Sequence, residues 1–182
     1  MAYRAGAVLR DVEFMQFHPT TLYIAGASRA LITETLRGEG AVLVDNKGHQ
    51  FMKGYDQAAE LAPRDIVSRA ILSHMLKTKS THVYLDVRKF DKEYFAKRFP
   101  HINELCWSFD IDISKDLIPV RPSAHYMIGG VKTDMKAQTN TRNLYACGET
   151  ASTGLHGANR LGSNSLLEGL VLGKIAGDQA SH

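Results

Sequence analysis

The rhythm of apolar and polar residues changes several times along the chain, and each change predicts an element. Residues 1–10 carry Ala2, Ala5, Ala7, Val8 and Leu9, which suit the end of a helix or a connecting arm but are too few to stand alone. VEFMQF (12–17) predicts a strand stopped by Pro19. Residues 20–24 are β-branched or aromatic apart from Leu22, and Ala25 to Ser28 predicts a turn. ALITE (30–34) predicts another short strand. Arg37-Gly38-Glu39-Gly40 reads as a turn leading into AVLVD, and Asn46-Lys47-Gly48 as a hairpin turn returning through HQFM. Glu60 to Pro63 opens a helix in which Ile66, Val67, Ala70, Ile71 and Met75 recur at helical spacing. VYLDV (83–87) predicts a strand, DKEYFAKRF a short helix closed by Pro100, and Tyr126–Val131 a strand after a stretch of low helicity.

The last third has a different character. NLYACGE (143–149) reads as a buried strand, Ser152 to Ser163 as a glycine-rich loop, and SNSLLEGLVLGKIAGDQA as an apolar helix. Ser163 or Ser165 can cap that helix, with Glu168 as the partner of Ser165 in a capping box. Seven of the 15 glycines lie between Gly148 and Gly177. Glycine loses much conformational freedom on folding, so this density calls for tight turns or close approach of the backbone to a ligand. A strand, a glycine loop and a helix start together form a dinucleotide or anion site. A plain strand-to-helix connection fits the spacing equally well, because no GxGxxG follows a strand. A domain boundary is expected near 125–130, since the roughly 55 residues downstream are too few for a core of normal size.

Composition narrows the class. With 182 residues, 44% apolar and 23% charged, the chain is one domain or two small ones and not disordered or fibrous. No run of 18 apolar residues predicts a transmembrane helix, and MAYRAG does not read as a signal peptide. The net charge of +3 is spread along the chain, which argues against nucleic-acid binding and leaves room for an anionic small molecule. Cys106 and Cys147 lack the spacing of a metal site, so no metal is expected, and two cysteines fit a reducing compartment.

Six motifs occur in order: Gln16–Thr20 (QFHPT), Thr33–Gly40 (TETLRGEG), Pro63–Arg69 (PRDIVSR), His125–Gly130 (HYMIGG), Leu144–Glu149 (LYACGE) and His156–Glu168 (HGANRLGSNSLLE). Together they resemble the FAD-dependent family of L-aspartate oxidase, the succinate dehydrogenase flavoprotein subunit and fumarate reductase, over essentially the whole chain. MQFHPTTLY, the stretch from Lys97 to Tyr126 and TGLHGANR resemble the aspartate oxidase branch. Leu161-Gly162-Ser163 instead resembles the dehydrogenase form.

The resemblance implies an α+β architecture: a capping domain over about 11–127, with 1–10 and 128–182 belonging to an α/β FAD-binding domain. It implies a fragment of about one third of an enzyme, inactive by itself. The alternatives are a fragment of a fumarate reductase or succinate dehydrogenase flavoprotein subunit, or an isolated, catalytically inert capping module. The implied substrate is a C4 dicarboxylate: L-aspartate, fumarate or succinate. The implied oxidase reaction gives iminoaspartate, with oxygen or fumarate as electron acceptor. It would feed quinolinate synthase and NAD biosynthesis in the cytoplasm, with no membrane contact.

By the same resemblance His18, Thr33, His125 and Arg160 bind the substrate carboxylates, which suits their donor chemistry. A lone histidine at His18 can equally make a structural hydrogen bond. Arg64 faces the reacting carbons and Glu34 relays its proton, since an arginine side chain stays protonated in proteins. The bland alternative for Arg64 is a surface ion pair with Glu60. Arg37 and Glu39 read as a structural ion pair rather than catalytic groups. FAD would be held by Glu149, by Asn164, Ser165 and Leu166 at the helix start, and by close approach at Gly129 and Gly130. A β-bulge is the rival for the two glycines, and helix-face core the rival for Leu166 and Leu167.

Overall fold

The computed structural model describes residues 1–27 and 29–181, so Ser28, the last residue of the expected 25–28 turn, lies outside the described residues. The chain forms two compact units: an inserted unit, Phe17–Ser123, and an outer unit made of Met1–Gln16 and Ala124–His182. Strands β2 (Met15–Leu22) and β5 (Ile118–Met127) carry the chain from one unit into the other.

The inserted unit is built on a four-stranded sheet of order β2-β5-β4-β3, with β3 at Val42–Val44 and β4 at Val83–Asp86. Antiparallel pairing sets Leu43 opposite Leu85, and Leu85 opposite Ile118. All three are fully buried, as period-2 alternation requires of one sheet face. Helix α2 (Arg64–Thr78) buries Val67, Ala70, Ile71 and Met75 in the same core. Helices α3 (Lys92–Arg98) and α4 (Pro100–Trp107) add Phe95, Ile102 and Cys106. Burial pushes the Cys106 thiol up to about 11, which leaves it an unreactive core residue.

Several expectations are corrected. Strand β2 runs through Pro19, because it is the outermost strand of its sheet, where a missing N–H is tolerated. ALITE contributes a single bridge, Leu31 to Thr21, instead of a strand. Thr33 then caps α1 (Glu34–Gly38) by accepting the Thr35 N–H, so TETLRG is a helical turn. Pro100 ends α3 and also starts α4, at the first helical position where its fixed φ is favourable. The hairpin turn at Asp45–Gly48 forms, but HQFM returns through one bridge, Gln50 to Val44, into a 3₁₀ turn.

The outer unit holds a three-stranded sheet of order β1-β6-β7, from Leu9–Arg10, Gly130–Lys132 and Ala151–Ser152. Strand β1 is antiparallel to β6 and β7 parallel to it. Residues 1–10 are therefore a 3₁₀ turn and a strand, not a helix end. The strand expected over Tyr126–Val131 is split at Ile128 and Gly129. NLYACGE is not a strand: Tyr145 makes one bridge to Gln138, and Gly148, at φ +69, turns the chain into a 3₁₀ turn before β7. Helix α5 (Asn164–Ala180) follows the loop.

Gly129 and Gly130 owe their identity to the chain itself. A Cβ on Gly129 would lie 2.0 Å from the Asp11 carbonyl oxygen, and one on Gly130 2.3 Å from that of Thr150. The close approach seen at both glycines is to protein backbone. Gly130→Ala is expected to lower stability by about 1–3 kcal/mol or more, because neither backbone can yield cheaply. Gly54→Ala, with nothing near its would-be Cβ, is the control, and thermal melts of the two compare them.

Candidate active site

In the inserted unit the expected substrate and catalytic residues come from three elements. His18 lies in β2, Thr33 and Glu34 open α1, and Arg64 is the first residue of α2. A cation at a helix N-terminus opposes the helix dipole, so Arg64 needs a partner. Glu34 supplies it. Arg64 Nε donates to Glu34 Oε1 at 2.5 Å and Nη2 to Oε2 at 2.7 Å, a bidentate fork. The surface pair with Glu60 is not the arrangement found: Glu60 Oε1 accepts the Leu43 N–H instead.

Arg37 corrects a second expectation. Glu39 bonds Arg98 and Tyr94, while Arg37 turns inward. Its Nη2 reaches Glu34 Oε1 at 3.4 Å and its Nη1 donates to the Glu60 carbonyl at 2.6 Å. Arg64, Glu34 and Arg37 form a continuous chain, and Arg37 is only 4% exposed. Burial pushes the Glu34 carboxyl up, but the Arg64 hydrogen bonds and the charges of Arg64 and Arg37 outweigh it and hold the group below the usual carboxylate range. Burial lowers the Arg37 guanidinium, with Glu34 opposing.

A lowered folded-state value means that Glu34 contributes stability above the ordinary carboxylate range and loses it as pH falls through the folded value. Glu34→Gln is therefore expected to melt at lower temperature than the parent at neutral pH, with the gap closing in acid. Melting curves across pH check this; a gap that widens in acid would contradict it.

His18 is buried, and its Nδ1 accepts the Thr20 N–H at 3.3 Å. This structural bond places the proton of the neutral ring on Nε2, making that edge the donor. The two readings of His18 are thus compatible. Thr33 is half-buried at the α1 cap.

The outer unit carries the other donors. Arg160 Nη1 donates to Gln16 Oε1 at 2.9 Å, its Nε bonds Ser165 Oγ, and its Cζ lies 3.7 Å from the Tyr126 ring centroid. Gln16 also donates to Asn159 Oδ1 and to the Arg160 carbonyl, at 3.0 and 2.7 Å. His125, half-buried in β5, adjoins Tyr126 at a ring separation of 6.4 Å. Gln16 and Tyr126 are the residues sequence reasoning passed over here. Both sit inside quoted motifs, and Gln16 is a buried polar residue.

The expected capping box is also absent. Ser163 occupies the cap of α5 without a side-chain bond, and Ser165 is engaged by Arg160. Glu168 is buried and meets Thr153 and His156, the latter with Nε2 2.8 Å from Oε2.

The cofactor candidates fit a flavin. Ser163 makes no side-chain cap at α5, whose Asn164 N–H donates to the Leu161 carbonyl at 3.1 Å, and the positive end of the helix dipole favours a partly anionic ring edge. Leu166 and Leu167 are 86% and 63% exposed. Glu149, exposed, accepts the Met127 N–H at 3.2 Å and has further acceptor positions for hydroxyls. Among the described residues no group of three or more His, Cys, Asp or Glu side chains is placed to hold a metal, and no helix is long and apolar enough to cross a membrane.

An α+β fold with a glycine-rich loop leading into the start of α5 is the setting of a flavin-binding class of protein. Residues 1–166 match the family described as FAD binding domain, and the chain belongs to that family. It is 56% identical over 177 residues to L-aspartate oxidase of Nostoc sp., covering 95% of this chain and 31% of that protein. To the L-aspartate oxidase of Streptomyces coelicolor it is 51% identical over 185 positions, covering 100% and 32%. The chain thus spans about a third of the length of the curated relatives it matches. Its fold is similar to that of E. coli quinol fumarate reductase FrdA, with a TM-score of 0.90 and 42% identity, over 100% of this chain and 34% of that one. Mycobacterium smegmatis Sdh1 follows at 0.76 and 37%, over 99% and 31%.

Proposed function

We propose that this chain is part of an FAD-dependent L-aspartate oxidase, which converts L-aspartate to iminoaspartate and passes the electrons to oxygen or fumarate. The inserted unit is read as its capping domain and the outer unit as part of its FAD-binding domain. FAD, when bound, supplies the hydride acceptor. Glu149, Asn164, Ser165 and Leu166 would hold it, and Gly129 and Gly130 would bring backbone near it while packing on their own chain.

The chain's residues divide the remaining work. Arg160 and His125 in the outer unit, and His18 and the Thr33 hydroxyl in the inserted unit, are the donors read for the substrate carboxylates. Arg64 orients the reacting carbons by charge. The proton given up by the substrate amine would pass by way of the Arg64 guanidinium, which hands one on to Glu34 as it takes one up and so stays protonated before and after, and Arg37 holds Glu34 ionised to receive it. The bidentate Arg64–Glu34 pair is the observation that carries the reading, because it joins the catalytic candidate to its relay partner.

Iminoaspartate would pass to a quinolinate synthase in NAD biosynthesis, in the cytoplasm, where free Cys106 and Cys147 stay reduced. Turnover of L-aspartate by the complete protein, with one iminoaspartate formed per oxygen consumed, tests the proposal. No turnover with either acceptor would remove it. A second reading, a fumarate reductase or succinate dehydrogenase flavoprotein, is favoured by the Leu161-Gly162-Ser163 sequence and by the likeness to FrdA.

A further inference from the structure

The loop from Thr153 to Arg160 is fastened to one turn of α5 at both ends. Glu168 takes Thr153 Oγ1 and stands 2.8 Å from His156 Nε2 at the start of the loop. Ser165, three residues earlier on the helix, takes Arg160 at its end. The His156 and Glu168 side chains are 6% and 3% exposed. The carboxylate accepts the Thr153 hydroxyl and packs beside the imidazole, whose nitrogens make no hydrogen bond among the described residues. Neither has a role in the chemistry proposed above.

The ring of Tyr126 connects this pair to the substrate machinery. The His156 ring meets it edge-on, with centroids 6.0 Å apart and planes at 89°. The Arg160 guanidinium stacks over the same ring at 3.7 Å. Tyr126 is itself buried, so its plane is fixed by its neighbours and not by solvent. A guanidinium lying on an aromatic face is confined to that plane, and its fork direction follows from it.

We infer that His156 and Glu168 are positioning residues for Arg160: their buried pair fixes Tyr126, and Tyr126 fixes the plane in which Arg160 meets a substrate carboxylate. This rests on the reading of Arg160 as a carboxylate ligand. A donor fork displaced by a fraction of an ångström keeps its charge but loses the paired hydrogen bonds.

The test uses the complete FAD-loaded protein and calorimetric titration with malonate, a dicarboxylate without a carbon–carbon bond to desaturate or an amine to oxidise. Glu168→Leu is expected to raise the malonate Kd about tenfold, and Glu168→Gln, which keeps the acceptor for Thr153 and the packing beside His156, by less than about twofold. In an Arg160→Leu background the effect of Glu168→Leu should vanish, since the group it positions is gone.

The same factor in both backgrounds, or no effect in the parent, would overturn the inference. If Arg160→Leu alone leaves malonate binding unchanged, the underlying reading of Arg160 fails instead. Should Glu168→Leu not fold, Tyr126→Leu enters the same cycle with the same expected loss and the same overturning results.

Discussion

Replacement of Arg64 by alanine in the complete protein is expected to lower kcat by about 10⁴-fold or more, with flavin content unchanged. The magnitude combines two losses. Removing one preorganised charge from the reacting centre costs about 10²–10³. Removing a proton-transfer group costs about 10²–10⁴. The variant should still fold, because Glu34 keeps Arg37 at 3.4 Å and is not left as a lone buried anion. The cofactor candidates all lie in the other unit, which is why the flavin-to-protein ratio should hold. Arg64→Lys keeps the charge but not the fork that meets Glu34 through two nitrogens, so it should recover only part of the loss. Near-normal kcat in Arg64→Ala would remove this residue from the mechanism.

Arg160→Leu is expected to act on binding. Truncating one partner of a hydrogen-bonded charge pair costs about 2–5 kcal/mol, so Kd or KM for a dicarboxylate should rise about 30-fold or more. The fold should tolerate it, since leucine can still cover the Tyr126 ring that the guanidinium covers now. The two variants therefore separate: Arg64→Ala shows its effect in kcat, Arg160→Leu chiefly in KM. An unchanged KM would argue against the contact.

Much of this was legible in the sequence where one local signal decided the outcome. The periodicity of Val67, Ala70, Ile71 and Met75 marked α2, and VYLDV marked β4. It was less legible where a local signal had two physical meanings. Pro100 reads as a stop, yet the same missing N–H makes it a good helix start. Pro19 reads as a break, yet an outermost strand accepts it. Thr33 sits in a β-branched run, and its capping bond turns the following residues into a helix.

The candidate site divides the same way. The motifs named Arg64 and Glu34, but which acid Arg37 meets depends on burial. Glu39, two residues on, is drawn to Arg98 and Tyr94, and Glu34, one helical turn earlier, takes Arg37. Glu168 read as a capping residue because its spacing from Ser165 was right. Its true partners, Thr153 and His156, lie across a loop whose path no local pattern encodes.

We propose that the flavoprotein to which this chain contributes oxidises an amino acid, and not succinate, through the Arg64–Glu34 pair. The most direct test is anaerobic mixing of the complete, flavin-loaded protein with L-aspartate or with succinate, following the oxidised flavin band. L-aspartate is expected to bleach the band and yield iminoaspartate, succinate to leave it unchanged, and Arg64→Ala to abolish the bleaching. Bleaching by succinate with none by L-aspartate would contradict it.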